Sequence, residues 1–480
     1  GPVSWPMATA PPPAEHPPAE HPPAGHPDVR SAIDLLEAWI EAQRVARDLP
    51  GLSIGIVHGQ SLVWSGGFGW ADVARREPAT ADTLYRIGSI TKLFTATALL
   101  ILRDAGKLHL DDPLATHLPW FQMKAAAADA GTITIRHLLT HTSGLPREGA
   151  FPYFTDSRFP SIDEIRARLP LQERPLPTET RWKYSNLGAT LAGEVVAAVA
   201  GEPYVDFVRR RILEPLGMTA TLVASPEPSH PRLATGYARR LLGGAPAPFN
   251  DLRGLTAAGN MTTSVADLAR FAMLQLRGGA AGGAQILSGR TLAEMHRVHW
   301  LEPEWQAGWG LGFRLLRVRG KTLVGHGGAV RGFRSNLQIC PADKVAVIAL
   351  VNSDDADVWL YADKALEWVG TAIAGATRPA PPAADPAWQR YVGRYRSAWA
   401  DLQIIIRGGE LVVIGPATPD PTLVTSTLKP VGEHTFRVET TDGYGVPAEL
   451  VVFETDPAGR VTRARFGENY TERIETWTDR

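Results

Sequence analysis

The chain has almost no cysteine: one, Cys340, in 480 residues. A single thiol excludes an intrachain disulfide, and its place in an apolar, strand-like run marks it as a buried side chain. Neither Cys-x-x-Cys nor His-Glu-x-x-His occurs, so no metal signature is present and no cofactor is expected. A dominant charge sign is missing too. The 49 basic and 50 acidic residues leave a formal net charge of −1. Such dispersed, balanced charge argues against a nucleic-acid partner and against an anionic membrane surface. No apolar run reaches the ~20 residues of a membrane-spanning helix. After Met7 no basic stretch followed by an apolar one resembles an export signal, which points to a cytoplasmic protein.

What is present falls into four segments. Residues 1–29 read as an expression scar (1–6) and a proline-rich, low-complexity stretch carrying His16, His21 and His26, expected to be extended or disordered. Residues 30–375 carry mixed patterning. An amphipathic helix is expected over about 31–48, strands over 52–58 and 61–70, helices and long loops over about 105–260, a strand over 345–351 and a closing helix over 358–373. Strands at both ends of this region imply one sheet built from both chain ends. Residues 376–386 form an Ala/Pro-rich linker. Residues 387–480 then read as short strands separated by turns, a small antiparallel barrel.

Chemistry concentrates in three places. Ser89-Ile90-Thr91-Lys92 follows a Gly88 break and opens a helix-forming run to about Ala105. A lysine three residues after a helix-start serine shares its face and can take its proton. The same spacing recurs at Ser426-Thr427-Leu428-Lys429, but there it stands in strand-and-turn sequence with no helix to align the pair. Tyr184-Ser185-Asn186, on a loop before an apolar helix expected over 187–200, can point a phenol and an amide into one cleft. The phenol can act as a base if a nearby cation lowers its pKa; a plain turn before a helix fits the tripeptide as well. Val324-Gly325-His326-Gly327-Gly328-Ala329 can form a strand edge that lets a substrate backbone approach, or a glycine-rich hairpin turn. His137 and His141 are spaced for a helical metal site, but no third ligand is near, and capping and packing explain them better.

In this order and spacing, the motifs resemble the serine β-lactamase and penicillin-binding-protein superfamily, in its class C and D-alanyl-D-alanine carboxypeptidase branch. Residues 137–145, 214–219, 259–268 and 309–313 resemble it as well, so the likeness spans about 31–374. The resemblance implies an α+β catalytic domain, an antiparallel sheet flanked by helices plus a mainly helical region. It implies Ser89 as acylated nucleophile, Lys92 and Tyr184 sharing its proton, and Asn186 binding the substrate amide. The N–H groups of Ser89 and Ala329 would form an oxyanion hole beside the substrate-binding Gly327 and Gly328. One departure stands out: His326 occupies the place where Lys-Thr-Gly or Lys-Ser-Gly is frequent, so a fixed cation for a substrate carboxylate is missing, and a titration near neutral pH is expected in its stead.

Some relatives carry a lipocalin-like C-terminal domain, beginning much as Tyr391-Val392-Gly393-Arg394-Tyr395 does here. Penicillin-binding-protein-type thioesterases, which cyclise nonribosomal peptides, share the histidine motif, the barrel and the missing export signal. The favoured expectation is therefore a peptide cyclase whose peptidyl substrate arrives as a thioester on a peptide synthetase carrier domain. The alternative is a D-stereospecific peptidase or esterase. A barrel arginine, Arg473 first and Arg465 second, is the candidate to hold the carboxylate at the attacking end of the peptide. The oligomeric state is left open.

Overall fold

The computed structural model describes residues 23–278 and 283–478, so His16 and His21 lie outside the described residues. The chain divides into two compact units, Gly1–Thr377 and Arg378–Arg480.

Helix α1 spans Pro27–Ala46 and so begins inside the stretch expected to be disordered. The local chemistry explains the early start. Pro27 presets φ at the first helical position, and the His26 side chain accepts from the Asp28 N–H. Val29, Ile33, Leu36 and Ile40 recur on one face and are buried. They pack on one side of the main sheet, with Tyr361, Val369 and Ile373 of the closing helix.

That sheet is antiparallel, with nine strands among the described residues. Its order is Glu77–Pro78, β2 (Ser61–Asp72), β1 (Gly51–His58), Val345–Val351, Phe333–Cys340, Lys321–Val330, Arg314–Val318, Ala307–Trp309 and Trp300–Leu301. β1 pairs with β2 on one side and with Val345–Val351 on the other, Leu52 opposite Val351 and His58 opposite Val345. The two chain ends of the unit thus meet in mid-sheet, as the patterning indicated. Every residue of Val345–Val351 is buried, because helices cover both faces. The closing helix is interrupted: Val358–Ala365 runs through a π-helical turn, Leu366–Gly370, into Thr371–Ala376.

On the other face lies helix α2, Thr91–Asp104, buried from Thr91 through Leu102. A helix this apolar all round belongs inside a core. Phe94 stacks on Phe271 with centroids 4.2 Å apart. This burial makes α2 a rigid mount for the residues at its N-terminus.

In the second unit, eight strands close into a barrel: Gly393–Arg396, Asp401–Arg407, Glu410–Ile414, Ser426–Gly432, Thr435–Glu439, Leu450–Thr455, Val461–Phe466 and Asn469–Ile474. Each pairs antiparallel with its neighbours, and Asn469–Ile474 returns to Gly393–Arg396. Closure leaves no open sheet edge. Tyr395, Ile404, Leu411, Leu428, Phe436 and Phe453 fill the interior. No helix among the described residues is long and apolar enough to cross a membrane.

Candidate active site

Gly88–Ile90 forms one 3₁₀ turn ahead of α2, with Gly88 at φ 52. A Cβ on Gly88 would stand 2.6 Å from the Ala329 nitrogen, and one on Gly328 would stand 1.9 Å from the Ile87 oxygen. Glycine at both places is what lets the turn lie against the strand Lys321–Val330. Ser335, on the next strand, ties the junction by donating from Oγ to the Ile87 carbonyl at 2.7 Å. The main chains of Ser89 and Ala329 therefore run side by side, the arrangement two oxyanion donors require. His326-Gly327-Gly328 is in mid-strand, paired with Leu337, Asn336 and Ser335, and not in a hairpin turn.

One helical turn on from Ser89, Lys92 Nζ lies 2.9 Å from Ser89 Oγ, 2.8 Å from Asn186 Oδ1 and 2.6 Å from the Ala258 carbonyl. Tyr184 OH donates to Ser89 Oγ at 2.8 Å. Asn186 is the first residue of the helix Asn186–Ala200, capped by Ser185, whose Oγ accepts from the Gly188 N–H. That helix start fixes where the Asn186 side chain emerges.

Burial pushes Lys92 down to about 7; the Glu148 carboxylate works against this and Arg147 adds to it. An amine near that value is substantially neutral at pH 7. A neutral amine has two N–H groups and one lone pair. Asn186 Oδ1 and the Ala258 oxygen only accept, so they engage both hydrogens, and the lone pair is left for the Ser89 hydroxyl. Burial also raises Tyr184 above its ordinary value, and its hydrogen bond to Ser89 offsets this only in part. The expected lowering by a nearby cation loses to desolvation, so the phenol stays protonated and donates.

His326 also departs from its expected behaviour, with its pKa lowered where that of Tyr184 is raised. Burial, then repulsion from Lys92, takes it down to about 3, so it does not titrate near neutral pH. Its Nδ1 lies 2.5 Å from the Gly327 carbonyl, which accepts only, so the ring proton is on Nδ1. Nε2 is then a lone-pair acceptor, buried and without a protein partner among the described residues.

The remaining expectations separate cleanly. His141 ends the helix Ile135–Thr140 in a left-handed conformation, accepts from the Ser185 N–H at 3.2 Å, and stacks on Tyr184 at 4.4 Å. His137 instead caps its own helix and meets Glu179 at 3.1 Å. No metal-binding cluster of three such side chains occurs among the described residues. In the barrel, Arg473 donates to the main-chain carbonyls of Arg390 and Val392 at 2.7 and 2.8 Å. Arg465 donates to the Gly467 carbonyl at 2.7 Å. Both arginines brace backbone within the second unit.

That cleft encloses about 780 Å³ and is lined by Ser89, Tyr184, Asn186, Trp309, His326 and Ala329 among others. Sequence reasoning missed Glu148, which accepts from Asn186 Nδ2 at 2.6 Å, and the aromatic wall of Trp182 and Trp309 against His141. Trp182 stands two residues before Tyr184, and Glu148 three after the Leu145 that closes the 137–145 stretch, so proximity to the motifs was the only signal.

The family model described as Beta-lactamase matches residues 36–367. The chain belongs to this family. It is 32% identical over 315 residues to "Penicillin-binding protein 4" of Amycolatopsis lactamdurans, covering 63% of this chain and 81% of that protein. The crystal structure of SurE with D-Leu superposes with a TM-score of 0.57 at 25% identity, over 93% of this chain and 100% of that one. The D-stereospecific amidohydrolase from Streptomyces sp. does so with a TM-score of 0.57 at 30% identity, over 71% of this chain and 98% of that one. As a member of this family, the chain has the fold of serine hydrolases, and its second unit adds the barrel.

Proposed function

We propose that the protein is a serine acyltransferase that accepts a peptidyl thioester on Ser89 and releases it as a macrocycle. The carrying observation is that one oxygen, Ser89 Oγ, is held between the Lys92 amine and the Tyr184 phenol. Lys92 takes the hydroxyl proton as Ser89 Oγ bonds to the acyl carbon. The N–H groups of Ser89 and Ala329 receive the developing oxyanion. The carbon–sulfur bond then breaks, and the proton on Lys92 leaves with the thiol. The free amine of the same peptide next attacks the ester and Lys92 accepts its proton; as the bond from the acyl carbon to Ser89 Oγ breaks, Lys92 returns that proton to the serine oxygen, to which Tyr184 donates a hydrogen bond.

Cyclisation is favoured over carboxypeptidase or β-lactam chemistry by the state of His326. A neutral ring with an acceptor at Nε2 offers no cation to a carboxylate, whereas an attacking amine can donate an N–H to it. The similarity to SurE in its D-Leu-bound structure supports a D-residue at the acylating end. A peptide synthetase carrier domain as the donor of the thioester, in a cytoplasmic setting, belongs to the same reading. A second reading, D-stereospecific hydrolysis of amides or esters, is favoured by the similarity to the Streptomyces amidohydrolase. Product partition tests both. The full chain, given a linear peptidyl thioester of a small thiol with a D-residue at the acyl end, should yield mainly the cyclic peptide. Linear acid alone from every substrate, together with cleavage of D-residue amides, would put the hydrolase in its place.

A further inference from the structure

The direction of the Asn186 amide is set by a neighbour that no motif contains, and the same neighbour opposes the effect of burial on Lys92. Glu148 follows the turn at Pro146-Arg147. Its Oε1 accepts from Asn186 Nδ2 at 2.6 Å and from Arg147 Nη1 at 3.0 Å, and its Oε2 accepts from the Tyr153 hydroxyl. The Gln172 side chain holds the Glu148 carbonyl at 3.2 Å, and Tyr153 OH in turn accepts from the Gly149 N–H at 3.3 Å. Three groups thus hold the carboxylate, and Gln172 holds the main chain behind it.

An asparagine amide has one accepting end and one donating end. Glu148, ionised, only accepts. Lys92 Nζ, on the other side, donates to Asn186 Oδ1 at 2.8 Å. A flipped amide would set Nδ2 against the lysine's hydrogens and Oδ1 against the carboxylate, losing both bonds. One Nδ2 hydrogen goes to Glu148, and the second is left for a substrate carbonyl.

We infer that Glu148 is a positioning residue of the acyl-transfer site: it locks the Asn186 amide with its oxygen on Lys92, and so places a carboxylate one amide away from the amine that takes the Ser89 proton. The groups facing Lys92 are few. Tyr184 and Asn186 come from the segment 182–186, Glu148 and Arg147 from the segment after Pro146, His141 from the end of the helix Ile135–Thr140, and His326 from the strand Lys321–Val330. Both histidines are held neutral by burial, and Arg147 repels the ammonium. Glu148 is the opposing carboxylate that raises Lys92 again.

The inference rests on the Ser89 acyl-enzyme reading, so the test separates the two. Single-turnover acylation of the full chain by a chromogenic thioester is followed from pH 5 to 9, with the adduct located by peptide mass. Wild type should label on Ser89, with a rate that rises through a limb near neutral pH. Absence of a Ser89 adduct overturns the functional reading itself. Given that adduct, Glu148→Gln keeps an acceptor for Asn186 but loses the charge. Its limb should move to lower pH by about one unit, the usual scale for one nearby opposite charge, with most of the plateau rate kept. Glu148→Ala should show the same shift and also lose about 10- to 100-fold at the plateau, because Asn186 is released. Glu148→Asp keeps the charge, so its limb should stay near the wild-type position while the plateau falls. A limb that does not move in Glu148→Gln overturns the inference. Should that variant fail to fold, a limb displaced by a full unit in Glu148→Asp would do so.

Discussion

Two Ser-x-x-Lys tetrapeptides occur in this chain, and the comparison between them shows what the pattern needs. Ser89 and Lys92 straddle the entry to a buried helix, where a spacing of three brings Nζ to 2.9 Å from Oγ. Ser426 and Lys429 lie in one barrel strand, Ser426–Gly432, where residues three apart point to opposite faces. Lys429 turns to Glu410 and approaches Glu439 at 3.8 Å, and its pKa is raised, chiefly by the hydrogen bond to Glu410. Lys92 is lowered because it is buried against an amide, a carbonyl and a hydroxyl. The same residue types give a salt-bridge lysine in one place and, in the other, a buried amine whose pKa is lowered to about 7. Local geometry and dielectric make the difference.

The comparison can be broken at its strongest point first. Ser89→Ala should lose on the order of 10⁴-fold or more in turnover with an unchanged circular dichroism spectrum, while Ser426→Ala should keep full activity. A loss in Ser426→Ala comparable to that in Ser89→Ala would mean the barrel serine takes part in the chemistry. Next, Lys92→Ala and Tyr184→Phe should each lose about 10²- to 10⁴-fold, the usual range for proton transfer, and the double variant should lose little more. Multiplicative losses in steady-state kcat/KM would assign the two groups independent tasks.

Third comes the pH profile. Acylation needs the neutral amine, so the rate should rise as Lys92 deprotonates through about 7 and stay flat above. His326, at about 3, is neutral across this range. His326→Ala removes the repulsion His326 exerts on Lys92 only below that value, so it should lower the plateau and leave the limb in place. A limb that vanishes in His326→Ala would return the titration to the histidine. Smallest of all, Lys429→Ala should cost less than about 1 kcal/mol in chemical denaturation, because the pair with Glu410 is open to solvent. A much larger loss would show that the barrel depends on this pair as the cleft depends on Lys92.

Much of the architecture was legible in one dimension because it rests on periodic burial. The alternation in β1 and β2, the all-apolar 345–351 and the short strands after 387 each carry their own pattern. The misplaced boundaries were set by details that periodicity ignores. A proline and a histidine cap start α1 at Pro27, ahead of the helix expected from about 31. Of the site, the residues within motifs were visible and their charge states were not. His326 was expected to titrate near neutral pH, and Tyr184 to be lowered by any cation near it, but burial moves His326 down and Tyr184 up. Arg473 looked like a free cation from its place on an outer strand, yet two backbone carbonyls take up its guanidinium.

The sequence by itself determined which side chains fill the motif positions and the order in which they come: a serine and lysine one turn apart, a tyrosine and asparagine two apart, and a histidine followed by glycines. Spacing along a helix or a strand is a local property, so it survives in the one-dimensional record. Only the tertiary structure decided that the Lys92 pKa is lowered, that Tyr184 donates to Ser89, that His326 is neutral with Nε2 as an acceptor, and that Glu148 reaches Asn186. Each of these depends on desolvation and on groups brought together from distant segments: Glu148 lies 56 residues after Lys92 in the chain, and His326 a further 178 after Glu148. Those quantities exist only once the chain has folded.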